Sequence, residues 1–228
     1  MTWWLYAPIF LCTQRNIFMT KIKAILFDMD GVLIEAKDWH YEALNQALAI
    51  FGMEINRYDH MVTYDGLPTK KKLEMLTLER GLPKALHSFI NDMKQEFTFQ
   101  LGYAKCKPTF IHQYTLSHLK GQGYRMASCS NSIRKTMEIL FERSGLTDYF
   151  EFYLSNQDVN EPKPHPEIYT AAIQRMGLQP DECLILEDNE NGIKAAKASG
   201  AHVLIIHDVN EVNLENITKR ISEIEVQS

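Results

Sequence analysis

Asp28 and Asp30 are the residues most clearly placed to do chemistry. They are two carboxylates one residue apart, at the end of the apolar run Ile22-Lys23-Ala24-Ile25-Leu26-Phe27. That run has the composition of a strand buried on both faces of a parallel sheet. Asp28 then falls at the carboxyl end of the strand, where open α/β sheets bind ligands. In an extended run its side chain and that of Asp30 point the same way. Two carboxylates on one side raise each other's proton affinity unless a cation or a shared proton relieves them. Mg²⁺ suits this role, because it takes oxygen ligands and keeps positions open for phosphate. Gly31 lets the chain turn sharply straight afterwards. Alone, such a D-x-D-G segment reads equally well as a polar turn, so the other strand ends must decide.

Three further segments fall at strand ends. Ser128-Cys129-Ser130-Asn131-Ser132 precedes a helix expected from about Ile133. Hydroxyls and free N–H groups at a helix N-terminus suit phosphate oxygens, with a simple N-cap as the competing reading. In Glu161-Pro162-Lys163-Pro164-His165-Pro166, prolines stiffen a loop around one lysine. As a compact point charge, Lys163 can neutralise the aspartates and bridge to phosphate, whereas a solvated turn lysine is the alternative. His165 reads as surface filler. Finally, the apolar Leu184-Ile185-Leu186 ends in Glu187 and Asp188. These acids are either helix caps or the completion of the oxygen shell begun by Asp28 and Asp30.

The elements that must position these groups follow from the hydrophobic pattern. Strands are expected at residues 124–129, 150–154, 183–187 and 202–206, each followed by a helix or loop. Between about residues 37 and 107 the pattern is helical. His40, Leu44, Ala47, Leu48 and Phe51 share one face, and Gly52 is a stop. A second helix opens at Pro68-Thr69, carries Leu73, Leu76 and Leu78, and closes at Gly81. A third runs from Pro83 to about Tyr103. The fold class is therefore α/β: a doubly wound, parallel-sheet Rossmann-like core, residues 19–36 and 108–228, with an inserted all-helical cap domain, residues 37–107.

A length of 228 residues with 45% hydrophobic content allows a core domain with a smaller insert. The formal net charge of -5 argues against nucleic acid as a partner and fits a small-molecule enzyme. Cys12, Cys106, Cys129 and Cys183 form no C-x-x-C pair and no disulfide framework, so a reducing, cytoplasmic setting is the expectation. Residues 1–18 are apolar and aromatic but too short to span a bilayer, and they lack the basic start of a signal peptide. Met19 is the expected functional start and residues 1–18 an extension foreign to the native protein. A weak interfacial anchor through Trp3 and Trp4 is the alternative, and no stable membrane insertion is expected.

The ordered set D-M-D-G-V, Ser128, Lys163 and E-D-N-x-x-G resembles the four motifs of the haloacid dehalogenase superfamily. The helical insert after the first motif is similar to the cap of its β-phosphoglucomutase-like phosphatase branch. The resemblance covers residues 21 to about 211. It implies Asp28 as a nucleophile forming an aspartyl-phosphate, and Asp30 as the acid and then the base. Ser128 and Cys129, with Lys163, would hold the phosphoryl group. Asp28, Asp188 and the backbone carbonyl of Asp30 would bind Mg²⁺, with Glu187 supporting the shell. Asp30 and the second acidic strand end point to phosphoryl transfer rather than dehalogenation.

The same resemblance makes the insert a mobile cap that closes over the site and selects the substrate. It places His40 facing the active site and Gly66 and Lys70 on a substrate-specificity loop, with Ser130 and Asn131 as further candidate substrate-binding residues. His40 has a structural reading too, and at least two of Lys70, Lys71 and Lys72 read as a solvated helix face. True β-phosphoglucomutases have an arginine where this chain has Thr69, and a lysine lacks the bidentate fork that grips a second phosphate. The expected function is thus a monomeric, Mg²⁺-dependent phosphatase acting on a small phosphorylated metabolite, most plausibly a sugar phosphate. A phosphosugar mutase and a catalytically silent ligand-sensing or partner-binding protein are the alternatives.

Overall fold

The computed structural model describes residues 21–226; the apolar N-terminal segment, with Cys12, lies outside them. Five strands form one parallel sheet in the order β3-β2-β1-β4-β5: β1 (Ala24–Phe27), β2 (Arg125–Cys129), β3 (Phe152–Leu154), β4 (Cys183–Glu187) and β5 (His202–Ile205). The central strand β1 is fully buried, because alternate side chains enter different layers. Ile25 and Phe27 pack with α5 (Phe110–Gly121), α6 (Arg134–Ser144) and α9 (Leu214–Val226). Ala24 and Leu26 pack with α7 (Glu167–Met176) and α8 (Glu190–Ala198). This is the doubly wound, Rossmann-like arrangement, and its crevice opens at the carboxyl end of β1.

Between β1 and β2 the chain forms α1 (Lys37–Ala49), the short turn α2 (Arg57–Asp59) running into a wider turn at His60–Tyr64, α3 (Thr69–Arg80) and α4 (His87–Lys105), before α5 returns to the sheet. Leu44, Leu48, Ile55, Tyr64, Leu73, Leu76 and Ile90 build a separate apolar cluster there. The 19-residue α4 also reaches α6 on the face of the sheet, where a Cβ on Gly102 would come within 2.9 Å of Leu140 Cδ2. Among the described residues, no helix is long and apolar enough to cross a membrane.

Several local expectations change. Strand β1 begins at Ala24 rather than Ile22, although Lys23 N still donates to Glu182 O. Helix α1 stops at Ala49, so Phe51 leaves its buried face and meets Phe89 edge-on. Leu78 is 86% exposed, because it lies about 200° around the helix from Leu76. The turns at residues 57–64 were not apparent in the sequence, and the third helix is preceded by a separate turn at Lys84–Leu86.

His60 is buried against Tyr41 in the insert, and neither ring nitrogen has a hydrogen-bond partner among the described residues. Burial, with Lys72 nearby, pushes its pKa from 6.5 down to about 4. The unfolded chain therefore binds more protons between those values, so this contribution to stability is intact above pH 6.5 and falls as pH drops toward 4. Urea denaturation across that range is expected to show a shallower pH slope for His60→Gln than for the unsubstituted protein.

Candidate active site

Register builds the site. Phe27 lies opposite Ser128 on one side and Leu186 on the other, so Asp28, Cys129 and Glu187 reach the strand ends together. Lys163 Nζ sits among them, donating to Asp28 Oδ1 at 2.8 Å, Cys129 O at 2.7 Å and Glu187 Oε1 at 2.6 Å. Tyr169 on α7 donates to the same Glu187 oxygen. Burial opposes the Lys163 charge, but the two carboxylates outweigh it and hold the ammonium protonated well above its ordinary range. Burial, with Glu187, Asp188 and Asp30 nearby, raises the Asp28 carboxyl despite Lys163.

Asp30 lies on the insert side. Its Oδ1 is 3.0 Å from His40 Nε2, and Oδ2 accepts from Ser132 Oγ at 2.8 Å and more weakly from Ser130 Oγ at 3.4 Å. His40 Nδ1 lies 3.2 Å from Lys94 Nζ. An ammonium can only donate, which fixes His40 as the tautomer that accepts from Lys94 at Nδ1 and donates from Nε2 to Asp30. Burial raises the Asp30 carboxyl, but His40 and Ser132 outweigh it and hold it below the ordinary range. Burial also lowers His40, against the pull of Asp30.

One oxygen each from Asp28, Glu187 and Asp188 can come within 4.8 Å of one another, a donor set that suits a hard divalent cation. Asp188 Oδ1 is buried without a hydrogen-bond partner, and Lys37 Nζ pairs with Oδ2 at 2.5 Å. Burial pushes the Asp188 carboxyl up to about 6 although Lys37 opposes it. These residues fit Mg²⁺: an under-coordinated carboxylate stands beside two others, and Lys37 supplies only one charge. Gly31 has φ +87, and a Cβ there would overlap Asp188. A Cβ on Gly192 would overlap the Glu187 carboxylate.

Asp28, Asp30, His40, Gly66, Lys70, Ser130, Asn131, Lys163 and Glu187 all line one cavity of about 190 Å³ between sheet and insert. Asn131 spends its amide on the backbone: it donates to Gly66 O and Lys163 O, and accepts from Lys163 N. Gly66 has φ +69 and abuts Asn189, whose amide donates to Asp65. The loop at residues 65–66 is thus tied to two core loops. Lys70 is exposed at the rim, Lys71 is exposed away from the cavity, and Lys72 is buried and faces inward.

Two residues sit differently from their expected phosphate-facing placement. The Cys129 thiol turns into the α7 side of the core toward Ile168 O at 4.0 Å, because alternate strand residues face opposite layers. Burial pushes that thiol up to about 12, and its carbonyl, not its side chain, serves the site by accepting from Lys163. Ser128 is fully buried with an unpartnered Oγ and does not line the cavity wall. Sequence reasoning passed over Ser132, Lys37 and Lys94, and although it read at least two of Lys70, Lys71 and Lys72 as solvated, it did not single out Lys72 as the buried one. Lys72 lies four residues before buried Leu76 and Lys94 four after buried Ile90, so helical periodicity held the signal for both.

Residues 25–206 match the family described as haloacid dehalogenase-like hydrolase. The chain belongs to that family. It is 30% identical over 189 residues to the putative phosphatase YhcW of Bacillus subtilis, covering 81% of this chain and 83% of the relative. It is also 30% identical over 196 residues to the probable pseudouridine-5'-phosphatase YKL033W-A of Saccharomyces cerevisiae, covering 80% and 81%. The fold is similar to β-phosphoglucomutase from Clostridium difficile, with a TM-score of 0.77 at 20% identity, covering 90% of this chain and 99% of that one.

Because a ligand that binds only the folded state stabilises it, saturating Mg²⁺ is expected to raise the melting temperature by about 5 °C or more. Asp188→Asn should remove most of that rise when the two proteins are compared by thermal denaturation with and without the ion.

Proposed function

We propose that this protein is a Mg²⁺-dependent phosphatase that hydrolyses a small phosphomonoester, a sugar phosphate or related metabolite, through an aspartyl-phosphate on Asp28. The observation that carries this reading is the Asp28 carboxylate at the carboxyl end of the central strand, bonded to Lys163 and 3.0 Å by its backbone N from Leu186 O, with Asp30 beside it in the same cavity. The relatives named as phosphatases support the same chemistry.

In the first step an Asp28 oxygen attacks phosphorus and the ester P–O bond breaks. Asp30 gives its proton to the departing alkoxide. Asp30 is held ionised in the resting site by His40 and Ser132, and an arriving phosphoryl dianion would raise its proton affinity and load it. In the second step Asp30 takes a proton from water, which attacks phosphorus and releases inorganic phosphate, freeing Asp28. Lys163 balances charge on the phosphoryl oxygens. Bound Mg²⁺ would supply further neutralising charge, held by Asp28, Asp188 and the Asp30 carbonyl, with Glu187 behind them. Residues 37–107 would act as the cap that closes over the site and shields the intermediate.

Thr69 lines the cavity where a mutase carries its arginine, which favours loss of the phosphoryl group to water. Phosphate release from a panel of sugar phosphates and an aryl phosphate is therefore expected to need Mg²⁺ but no bisphosphate primer. Asp28→Asn should lower it by about 10³-fold or more. Turnover only with a primer would establish the mutase instead, and a cellular role that survives Asp28→Asn would establish a silent binding protein.

A further inference from the structure

The charges in the cavity do not cancel evenly. Lys163 is paired with Asp28 and Glu187, Lys37 with Asp188, and Asp30 with His40. Lys72 on α3 and Lys94 on α4 reach the same cavity from the insert, only 7% and 8% exposed. Among the described residues, no carboxylate oxygen lies within the 4.0 Å of an ion pair from either ammonium. Asp65 and Asp30 act on Lys72, and Asp30 on Lys94, only from beyond ion-pair distance, and two buried like charges compensated that weakly are costly to keep. Burial lowers Lys72 to about 8, and burial with Lys72 nearby lowers Lys94 to about 7. An anion held between them would cancel both effects.

The rest of the wall limits what that anion belongs to. Among the described residues no Phe, Tyr or Trp lines the cavity, so the one aromatic ring in its wall is the His40 imidazole, whose edges are engaged by Asp30 and Lys94, and a nucleobase or aryl group meets no larger stacking face. Asn91, Gln95 and Thr136 offer hydrogen bonds instead, and Gln95 Oε1 is buried and unpartnered. Lys94 is linked to Asp30 through the His40 ring, which sets the lysine pair beyond the leaving oxygen rather than at the transferring phosphoryl group.

We infer that Lys72 and Lys94 form a second anion subsite, and that the substrate is a polyhydroxy phosphomonoester carrying another anionic group, a carboxylate or a second phosphate, at its far end. The inference deepens the phosphatase reading and rests on it for the direction in which substrate lies. Two separated ammonium groups act as point charges and do not impose the planar geometry of an arginine fork, so they accept either anion.

The test uses pairs of phosphomonoesters that differ only at the carbon farthest from phosphate. Glycerol 3-phosphate is paired with 3-phosphoglycerate, and sorbitol 6-phosphate with 6-phosphogluconate; sorbitol 1,6-bisphosphate supplies the second-phosphate arm. In at least one chain length the doubly anionic member is expected to have kcat/KM about tenfold or more above its alcohol, chiefly through KM. Lys72→Met should shrink that ratio to about twofold and Lys72→Arg should restore it. Equal kcat/KM across every pair, or a preference that survives Lys72→Met, would overturn the inference while leaving the phosphatase reading in place. If no compound releases phosphate, calorimetric binding of each pair to Asp28→Asn separates the two: tighter binding of the acid supports the subsite alone, and equal or absent binding overturns it.

Discussion

The site depends on one buried ammonium group. Lys163 Nζ joins the ends of three adjacent strands: the Asp28 carboxylate after β1, the Cys129 carbonyl on β2 and the Glu187 carboxylate on β4. Without it, two carboxylates would be left facing each other in a water-poor pocket, and breaking a buried pair of this kind costs about 3–5 kcal/mol. The strand register makes the meeting geometrically available, and the charge makes it tolerable. Tyr169, one layer below, fixes the Glu187 oxygen that Lys163 also uses. The order of the sheet and the order of the charges are thus two descriptions of one constraint.

A different logic governs the insert side. Asp30 accepts from His40 on α1 and from Ser132 after β2, so this carboxylate belongs to both halves of the molecule. The amides of Asn131 and Asn189 repeat that bridging at the loop of residues 65–66. Charges beneath the sheet ends are matched within the protein, whereas those descending from α3 and α4 are left for something else to match. That asymmetry distinguishes a pocket that is finished on its chemical side from one that is completed by what enters it.

Most of the core was legible in the sequence because buried parallel strands announce themselves as apolar runs, and acids or hydroxyls at their ends stand out against that background. Asp28, Glu187 and Asp188 were found this way, Lys163 through the prolines that flank it, and the structure draws them together. Cys129 shows the limit: proximity in sequence to Ser128 hid the fact that neighbours on a strand face opposite layers. The insert was harder. Lys70, Lys71 and Lys72 look alike as a run of charge, and only the phase of α3 against Leu73 and Leu76 separates the buried one from the exposed pair. Ser132 was lost among several hydroxyls because nothing local marks which one meets Asp30. The Asp188 pairing with Lys37 depends on a tertiary approach across Gly31 that no local pattern encodes.

Helix α4 has a mechanical consequence of its own. It touches α6 at Gly102, where the missing Cβ lets Leu140 come close, and it carries Lys94 two turns nearer its start. Eight residues of helix make an arm of about 12 Å, so a tilt of about 10° at the fulcrum would carry the Lys94 end by about 2 Å. The gap between Lys94 and the His40 ring is only 3.2 Å. The alignment of the acid–imidazole–ammonium chain is therefore set at a distance, by how tightly a glycine seats against a leucine that does not itself line the cavity.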